Sequence, residues 1–483
     1  MMGMEHGLQE SKTPSGVAVE RGESSSLEDV IRPGTTRGLD FVSLDELRKR
    51  TGITPDSTLK FALAEMLCNS LDKDDATKIY VDVRNEGEFH RLEISDSGSK
   101  KLTPEEIKLI LNFDYKASSK RGFHRVSRGY LGNALKCIFG YSYALAESKG
   151  LAPPDIVVRS AGVEYKIALK PNRVKGVIES EIVTTEKNDD WRTAFTVKFP
   201  RGDLGDEEIS ELKDLIFATS MVNPTRRISY NIFGEEGALG SAEGGKAMRR
   251  ETSVLWYTEK QFQSLFEDFL RTRPETQLRE FISLFRGFTS KVIIREILQN
   301  LSSTNHDSQK KPHVQFLPAT PIQELSTGAV SKLFRLMKAK AKPISKRSTA
   351  SVLGFVGEES FQRLREQRGW KRLKYFRIPG IRTECPQPQY HQGDDPCPNP
   401  DHVEFPFLIE LAVFDREDDG KGLKVFQCVN FMASMEDIFS SVFDISYRLG
   451  MVRIREETPV TVVAHLICPV LKWLNYGKSG LDE

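Results

Sequence analysis

Residues 59–72 read LKFALAEMLCNSLD. Apolar side chains recur there at helical spacing and predict a helix whose buried stripe consists of Leu59, Ala62, Leu63, Met66, Leu67 and Leu71. Glu65, Asn69 and Asp72 stand at i, i+4 and i+7 and share roughly the opposite face. A carboxylate and a carboxamide one turn apart suit a hard divalent cation, with the amide oxygen as ligand and the carboxylate handling water. For an isolated helix, a solvated polar face is the alternative interpretation.

Two short runs with alternating apolar residues follow, at 79–83 and 92–95, with a turn at 85–88 between them. This pattern predicts a β-hairpin with one apolar face, ending in the Asp-Ser-Gly sequence of residues 96–98. The sequence Thr-Pro-Glu-Glu at 103–106 then predicts a helix that begins with a capping box and has Pro at its first position.

A Gly-containing loop precedes a further predicted helix. Residues 127–134 read SRGYLGNA, and apolar residues recur at helical spacing from within this stretch onward, at Leu131, Leu135, Ile138 and Phe139. Glycines at the start of a helix leave backbone N–H groups free to hold a phosphate, and the helix dipole favours the anion. Many helices begin this way, so the glycine pair alone does not identify a phosphate site.

The bulk composition limits the class of protein. With 483 residues, 39% hydrophobic and 28% charged, the chain predicts a soluble protein of two to four domains. No apolar run reaches the roughly 20 residues of a membrane helix, and the first residues lack an apolar signal segment, so we expect an intracellular protein. Six scattered cysteines predict buried thiols and not a disulfide framework. A net charge of +1 means that any nucleic-acid surface must be a local patch.

Changes in composition and periodicity suggest the boundaries along the chain. We predict a disordered tail at 1–38, an α+β domain at 39–234, a Gly-rich linker at 235–251, a helical domain at 252–345 and a second α/β domain at 346–483. Strand-like runs at 405–414 and 423–429 belong to the last of these.

Taken in order, Glu65-x3-Asn69-x2-Asp72, Asp96-x-Gly98 and Gly129-x2-Gly132 resemble the three ATP motifs of the gyrase–chaperone–kinase–MutL (GHKL) superfamily. Within it, ASSKRGFHRVSRGYLGNA is similar to the phosphate-loop region of the B subunits of DNA topoisomerase VI, a type IIB topoisomerase. Segments similar to that family's helix–two-turn–helix and transducer regions lie at 278–289, 342–360, 406–414 and 465–481. The resemblance covers about residues 40–481. It implies an α+β fold with a Bergerat ATP-binding sandwich, a helix–two-turn–helix-like middle region and an α/β transducer domain.

The resemblance also implies a function for each motif residue. Glu65 is expected to be the general base for the attacking water, and Asn69 the ligand of the Mg²⁺ ion on the phosphates. Asp96 is expected to accept the exocyclic amine of adenine, with Gly98 allowing the base to approach. The other implied nucleotide-site residues are Asp72, Lys120, Gly129, Tyr130, Leu131, Gly132, Asn133 and Thr193, of which 129–133 form a phosphate lid.

Several positions depart from the family pattern. Lys100 replaces the second Gly of Asp-x-Gly-x-Gly, Ala134 the third Gly of the lid, and Arg192 the Gly of a Gly-Thr strand. A lid with less backbone freedom is expected to close more slowly. Val470 stands where the family has its transducer lysine, so Lys472 is the candidate for that catalytic residue, with an exposed strand residue as the alternative interpretation.

The resemblance implies an ATPase subunit that works with Mg²⁺ as an ATP-gated homodimer clamp. It would drive strand passage through duplex DNA cleaved by an A-type partner, which carries a TOPRIM site and the catalytic tyrosine. The chain stops at Glu483, where the family continues into a helix that docks on the A subunit, so docking is expected at another surface. The alternative is a stand-alone GHKL switch in genome maintenance or defence. A nucleotide-binding protein without hydrolysis also stays open, whereas a histidine kinase is disfavoured because no candidate phosphoacceptor precedes the ATP motifs.

Four further patterns allow a purely structural and a functional interpretation. Residues 332–347 carry seven basic side chains and no acid, which suits either a DNA-phosphate contact or a solvated helix face. Cys385, His391, Cys397 and His402 could bind zinc, but their spacing favours a loop with incidental Cys and His. We expect the aromatic residues at 256–270 to be core, and Cys68 to be a small core residue.

Overall fold

The computed structural model describes residues 32–35, 37–118, 122–127, 133–187, 193–243, 251–302, 315–384, 402–417, 422–439 and 445–471, with Trp473, Asn475 and Lys478. Its strands are β1 Arg32–Thr35, β2 Lys78–Glu86, β3 Phe89–Asp96, β4 Tyr115–Ser118, β5 Ile156–Ser160, β6 Val163–Asn172, β7 Val177–Glu186, β8 Thr193–Pro200, β9 Arg227–Ile232, β10 Glu235–Leu239, β11 Arg372–Glu384, β12 Val403–Asp415, β13 Lys424–Val429, β14 Met432–Ala433 and β15 Val460–Ile467. Its helices are α1 Leu44–Thr51, α2 Thr58–Leu71, α3 Pro104–Leu111, α4 Ala134–Ser148, α5 Asp206–Met221, α6 Glu259–Thr272, α7 Leu278–Ser283, α8 Lys291–Ser302, α9 Thr327–Lys340, α10 Thr349–Leu353, α11 Glu358–Gln367 and α12 Ile445–Met451. The mixed α+β class predicted from the sequence is confirmed.

An eight-stranded sheet organises the first part of the chain. Its strand order is β10-β9-β2-β3-β8-β5-β6-β7, with antiparallel neighbours except for the parallel pair β2–β9. Helices α2, α4 and α5 pack against it, and the apolar side chains of α2 and β3 lie in one continuous core. The predicted hairpin is β2–β3, and α3 begins with the predicted capping box of Thr103 and Glu106. The end of β3 is therefore held on both sides, by β2 and β8.

Two of the predicted boundaries need correction. Residues 32–35, assigned to the tail, form β1 and pair antiparallel with β4. Residues 235–239, assigned to the linker, form the edge strand β10, which pairs with β9 across a turn at Phe233 and Gly234 with φ of 51° and 95°. Both strands are held by main-chain pairing with a partner strand, and their own Gly- and polar-rich sequences carry no apolar alternation.

The helices α6 to α9 form a unit with an aromatic core. Trp256 and Tyr257 are 2% and 0% exposed, and the phenylalanines of α6 are equally buried, which confirms the interpretation as core. Phe266 and Phe281 pack edge to face with ring centres 5.1 Å apart. The same apolar cluster includes Phe405 of β12, so the helical unit and the C-terminal sheet share a core.

The C-terminal sheet has the order β11-β12-β15-β13-β14, with β13 and β15 parallel and the other neighbours antiparallel. Glu410 of β12 is fully buried and accepts hydrogen bonds from Tyr375 Oη at 2.7 Å, His465 Nδ1 at 3.1 Å and the backbone N–H groups of Val356 and Gly357 at 2.9 Å. Burial raises the pKa of Glu410, but these donors outweigh burial and hold that pKa below its usual range. The network ties the loop before α11 to the centre of the sheet.

The C-terminal sheet also docks on α5 of the first unit. Lys424 of β13 forms an ion pair with Asp214 of α5 at 2.8 Å, and Asn223 Nδ2 donates to the carbonyl of Phe431 at 2.8 Å. Both contacts lie on the side of the C-terminal sheet formed by β13 and β14. This docking brings the C-terminal residues toward α2.

Candidate functional site

Helix α2 places the predicted carboxylate and carboxamide. Residues 59–71 contain no Gly, Pro or β-branched residue, so helix propensity and the apolar pattern agree. The helix ends at Leu71, and the N–H of Asp72 caps it by donating to the carbonyl of Cys68 at 3.0 Å. Glu65 and Asp72 are only 6% and 7% exposed, so the interpretation as a solvated polar face is wrong. Asn69 is half-buried, and Cys68 is a core residue as predicted.

A lysine from the C-terminal segment contacts Glu65. Lys478 Nζ lies 2.5 Å from Glu65 Oε1, and the two side chains are 17% and 8% exposed. Such a shielded pair is stronger than a surface ion pair, because less water screens it. The predicted transducer lysine, Lys472, lies outside the described residues. Within the part of the chain that the structure describes, Lys478 is the lysine that reaches the proposed general base.

The second motif lies at the end of β3. Asp96 is 3% exposed and stands opposite Thr193 in the β3–β8 register. Its Oδ1 accepts the N–H of Gly98 at 3.0 Å, and β3 packs against α2. Asp96, Gly98 and Thr193, which the resemblance assigned to adenine, are therefore brought together beside α2. The Thr193 hydroxyl itself donates to the carbonyl of Lys100 at 3.3 Å.

Asp96 already has a cationic partner. Lys73 Nζ lies 2.9 Å from Asp96 Oδ1 and 2.8 Å from Oδ2, and the lysine side chain is 17% exposed. Burial raises the pKa of Asp96 and lowers the pKa of Lys73, and in both groups the ion pair opposes that shift. The carboxylate thus presents its two oxygens to an ammonium group of the same chain.

The predicted phosphate lid is described only at its end. Lys120 and residues 129–132 lie outside the described residues. Asn133, the N-cap of α4, is 1% exposed, and neither its Oδ1 nor its Nδ2 has a hydrogen-bond partner among the described residues. Burying such polar atoms without a partner is costly, so this position suits a polar ligand. One turn into α4, burial lowers the pKa of Lys136 to about 8.

The C-terminal sheet also holds the segment just before the lid. Asn430 lies in the turn between β13 and β14 with φ of 48° and is 2% exposed. Its Nδ2 donates to the carbonyls of Ser127 at 3.0 Å and Cys468 at 2.9 Å, and its Oδ1 accepts the N–H of Cys468 at 2.9 Å. One side chain therefore joins β15, the β13–β14 turn and the residue that precedes the lid.

The donor set beside α2 suits Mg²⁺ held mainly by nucleotide phosphates. Among the described residues, no group of three or more His, Cys, Asp or Glu side chains is placed to hold a metal ion. Asn69 offers one hard amide oxygen on a half-buried surface, which fits a cation that takes its other ligands from phosphate and water. The loop with Cys385, His391 and Cys397 lies outside the described residues.

Sequence reasoning missed three polar residues of this region. Lys478 belongs to the Gly-Lys turn that carried part of the resemblance, so a signal for it was present. Lys73 follows Asp72 directly but falls outside the helical periodicity, and Asn430 lies in a turn without any motif. Each acts through a partner at least 23 residues away, and local patterns do not encode such pairs.

No protein-family model matches the sequence, and no curated protein matches it. Among solved structures, the chain is similar to the ATPase region of topoisomerase II from Saccharomyces cerevisiae, at 10% identity and a TM-score of 0.35, covering 87% of this chain and 76% of the other. It is also similar to the B subunit of DNA gyrase from Myxococcus xanthus, at 8% identity and a TM-score of 0.34, covering 89% and 84%. Likeness at this level assigns no family to the chain. Of the helices described, none is long and apolar enough to cross a membrane.

Proposed function

We propose that the chain is a Mg²⁺-dependent ATPase of the GHKL type, with its nucleotide site between α2, the end of β3 and the start of α4. The observation that carries this proposal is the contact between Glu65 and Lys478, 2.5 Å long and largely shielded from solvent. A structural helix has no need of a buried carboxylate whose charge is matched by a lysine 413 residues away. A hydrolytic site, in contrast, needs a base that is held in place before substrate arrives.

The residues divide the chemistry among them. Glu65 accepts the proton of the attacking water, and Lys478 moves from this carboxylate to the terminal phosphate, where its charge favours the transition state. Asn69 holds Mg²⁺, which neutralises charge on the phosphates when bound. Asp96 at the end of β3 and Gly98 just after it hold the adenine base of ATP. The buried amide of Asn133 faces the phosphates from the start of α4. Asp72 supports the end of α2.

The wider function that we propose is that of an ATP-gated clamp. Two chains join when ATP binds, and the C-terminal sheet transmits closure to an A-type subunit that cleaves duplex DNA. The contacts of Lys478 and Asn430 support such transmission, because both reach the nucleotide region from the C-terminal part of the chain. A stand-alone ATPase switch is the second candidate, favoured by the departures at Lys100 and Ala134 and by the ion pair that occupies Asp96.

The test is ATP turnover by the purified chain with Mg²⁺, compared with Glu65→Gln. We expect the substitution to lower turnover by about 10²–10⁴-fold, the usual contribution of a general base, with ATP still bound. Glu207→Gln, on the exposed first turn of α5, is the matched control and should behave as the unsubstituted chain. Turnover that survives in Glu65→Gln, or no ATP binding by the unsubstituted chain, contradicts the ATPase proposal.

A second assay separates the clamp from the switch. The clamp predicts that the chain co-purifies with a TOPRIM-containing subunit and that the pair relaxes supercoiled DNA only with ATP. ATP turnover that is unaffected by DNA, without such a partner, favours the switch.

A further inference from the structure

The carboxylate proposed to recognise the adenine base has most of its acceptor positions occupied. Lys73 Nζ contacts both oxygens of Asp96, at 2.9 and 2.8 Å, while Oδ1 also accepts the N–H of Gly98 at 3.0 Å. A carboxylate offers about four lone-pair directions, so little capacity is left for an incoming amine.

The stem of the same lysine fills the space beside Gly98. A Cβ placed on Gly98 would lie 2.6 Å from Lys73 Cδ and 3.1 Å from Lys73 Cβ. The absence of a side chain at Gly98 therefore leaves room for the stem of Lys73. A planar base that approaches this glycine would meet the stem first.

The backbone around Lys73 is held in place by the loop that it faces. The N–H of Ser99 donates to Asp75 Oδ2 at 2.7 Å, and Ser97 and Lys78 exchange two hydrogen bonds, each 3.1 Å long. These contacts fix residues 75–78 against 97–99 while the lysine side chain keeps its rotatable bonds. The ammonium can therefore leave Asp96 without unfolding the loop.

Resting on the proposed ATPase function, we propose that Lys73 is an internal occupant of the base subsite, which ATP must displace in order to bind. The ammonium leaves the Asp96 carboxylate for solvent, the stem leaves Gly98, and the exocyclic amine of the base takes the vacated acceptor. The apparent affinity for ATP is lowered by the fraction of time for which Lys73 holds the site. The phosphate half of the site is not subject to this competition.

Two variants of Lys73 separate the effect of its aliphatic stem from the effect of its charge. Lys73→Ala removes stem and charge, whereas Lys73→Met keeps a stem of similar size and removes the ion pair. Titration calorimetry with Mg²⁺ gives the Kd for ATP and for inorganic tripolyphosphate. We expect Lys73→Ala to bind ATP about tenfold more tightly if the site is free about a tenth of the time, with tripolyphosphate binding unchanged. Lys73→Met should fall between Lys73→Ala and the unsubstituted chain.

Lys101→Ala is the matched control, since Lys101 is exposed and lies in the same loop region as Gly98. It removes one positive charge near the site without vacating the base subsite, so its ATP affinity should match that of the unsubstituted chain. The inference is overturned if Lys73→Ala and Lys73→Met, folded by circular dichroism, bind ATP equally or more weakly. It is also overturned if ATP and tripolyphosphate affinities change together. If no variant binds ATP, both the inference and the ATPase proposal are wrong.

Discussion

Glu65 and Lys478 show how single residues connect distant parts of this chain. Lys478 follows the last strand, β15, and its ammonium rests on a carboxylate in the middle of α2. While this contact lasts, Glu65 Oε1 directs a lone pair to the lysine and not to a water molecule. In the proposed cycle, the phosphate of ATP competes for Lys478, so that binding of substrate releases the base.

The residue-scale prediction concerns this lysine. Lys478→Gln should lower ATP turnover by about 10²-fold, the effect of removing one group that stabilises transition-state charge, with a much smaller change in the Kd for ATP. Turnover and equilibrium binding of a non-hydrolysable ATP analogue measure the two effects. Lys472→Gln is the comparison, because the sequence predicts Lys472 as the transducer lysine. If Lys472→Gln is the inactive variant and Lys478→Gln is active, Lys472 is the catalytic lysine and Lys478 has no part in catalysis.

At the scale of elements, α9 and the residues after it contain the basic run 332–347. Four of its seven cations have internal partners. Lys332 and Lys338 donate to backbone carbonyls, Arg335 pairs with Glu259 at 3.2 Å, and Lys340 pairs with Glu296. The side chains of Lys342, Lys346 and Arg347 are exposed. We therefore expect a DNA contact of this run to depend most on these three residues.

The element-scale prediction follows from this division. Replacing Lys342, Lys346 and Arg347 by Gln should weaken duplex DNA binding and reduce the slope of log K against log salt by about 2.7, since each neutralised phosphate contributes about 0.9. Fluorescence anisotropy over a salt series measures the slope. The exposed lysines at 166, 170 and 187, replaced together, are the charge-matched control. Equal slopes in the two triple variants would assign the run to a solvated surface.

The range of the interactions explains which elements the sequence could predict. Helix α2, predicted at 59–72, is found at 58–71, and the β2–β3 hairpin and the capping box of α3 are also where local patterns indicated. β1 and β10 could not be predicted, because their stability comes from partner strands and not from their own composition. For the same reason, the motifs indicated Glu65 and Asp96, whereas their partners Lys478 and Lys73 required the tertiary structure.

At the scale of the whole molecule, three of the polar contacts between the C-terminal part of the chain and the first unit differ in what they can transmit. Lys424 pairs with Asp214 of α5, Asn430 holds the carbonyl of Ser127, and Lys478 reaches Glu65. The first contact is a partly exposed ion pair and contributes little stability. The other two adjoin the proposed phosphate lid and the proposed base. Movement of the sheet relative to the first unit would therefore shift the proposed phosphate lid and the contact of Lys478 with the proposed general base, Glu65.

Substitution of Asn430 tests whether the C-terminal sheet is coupled to the ATP site. Asn430→Ala removes three hydrogen bonds and leaves the buried N–H and carbonyl of Cys468 without this partner, so we expect a loss of about 1–3 kcal/mol in the free energy of unfolding. If the sheet positions the lid through Ser127, turnover should also fall about tenfold, while amide hydrogen exchange rises at residues 122–127 in the ATP-bound protein.

A control variant should lose a similar amount of stability without losing a contact to the segment before the lid. Such a variant shows whether the effect of Asn430→Ala comes from coupling or from a general loss of stability. Asn223→Ala is suited to this, because Asn223 is buried and its side chain donates to the carbonyls of Thr219 and Phe431. Coupling through Asn430 predicts that Asn223→Ala loses stability but keeps normal exchange at 122–127 and near-normal turnover. If both variants lose activity in proportion to their stability, the sheet only supports the first unit. In that case Asn430 carries no part of the transmission proposed for the clamp.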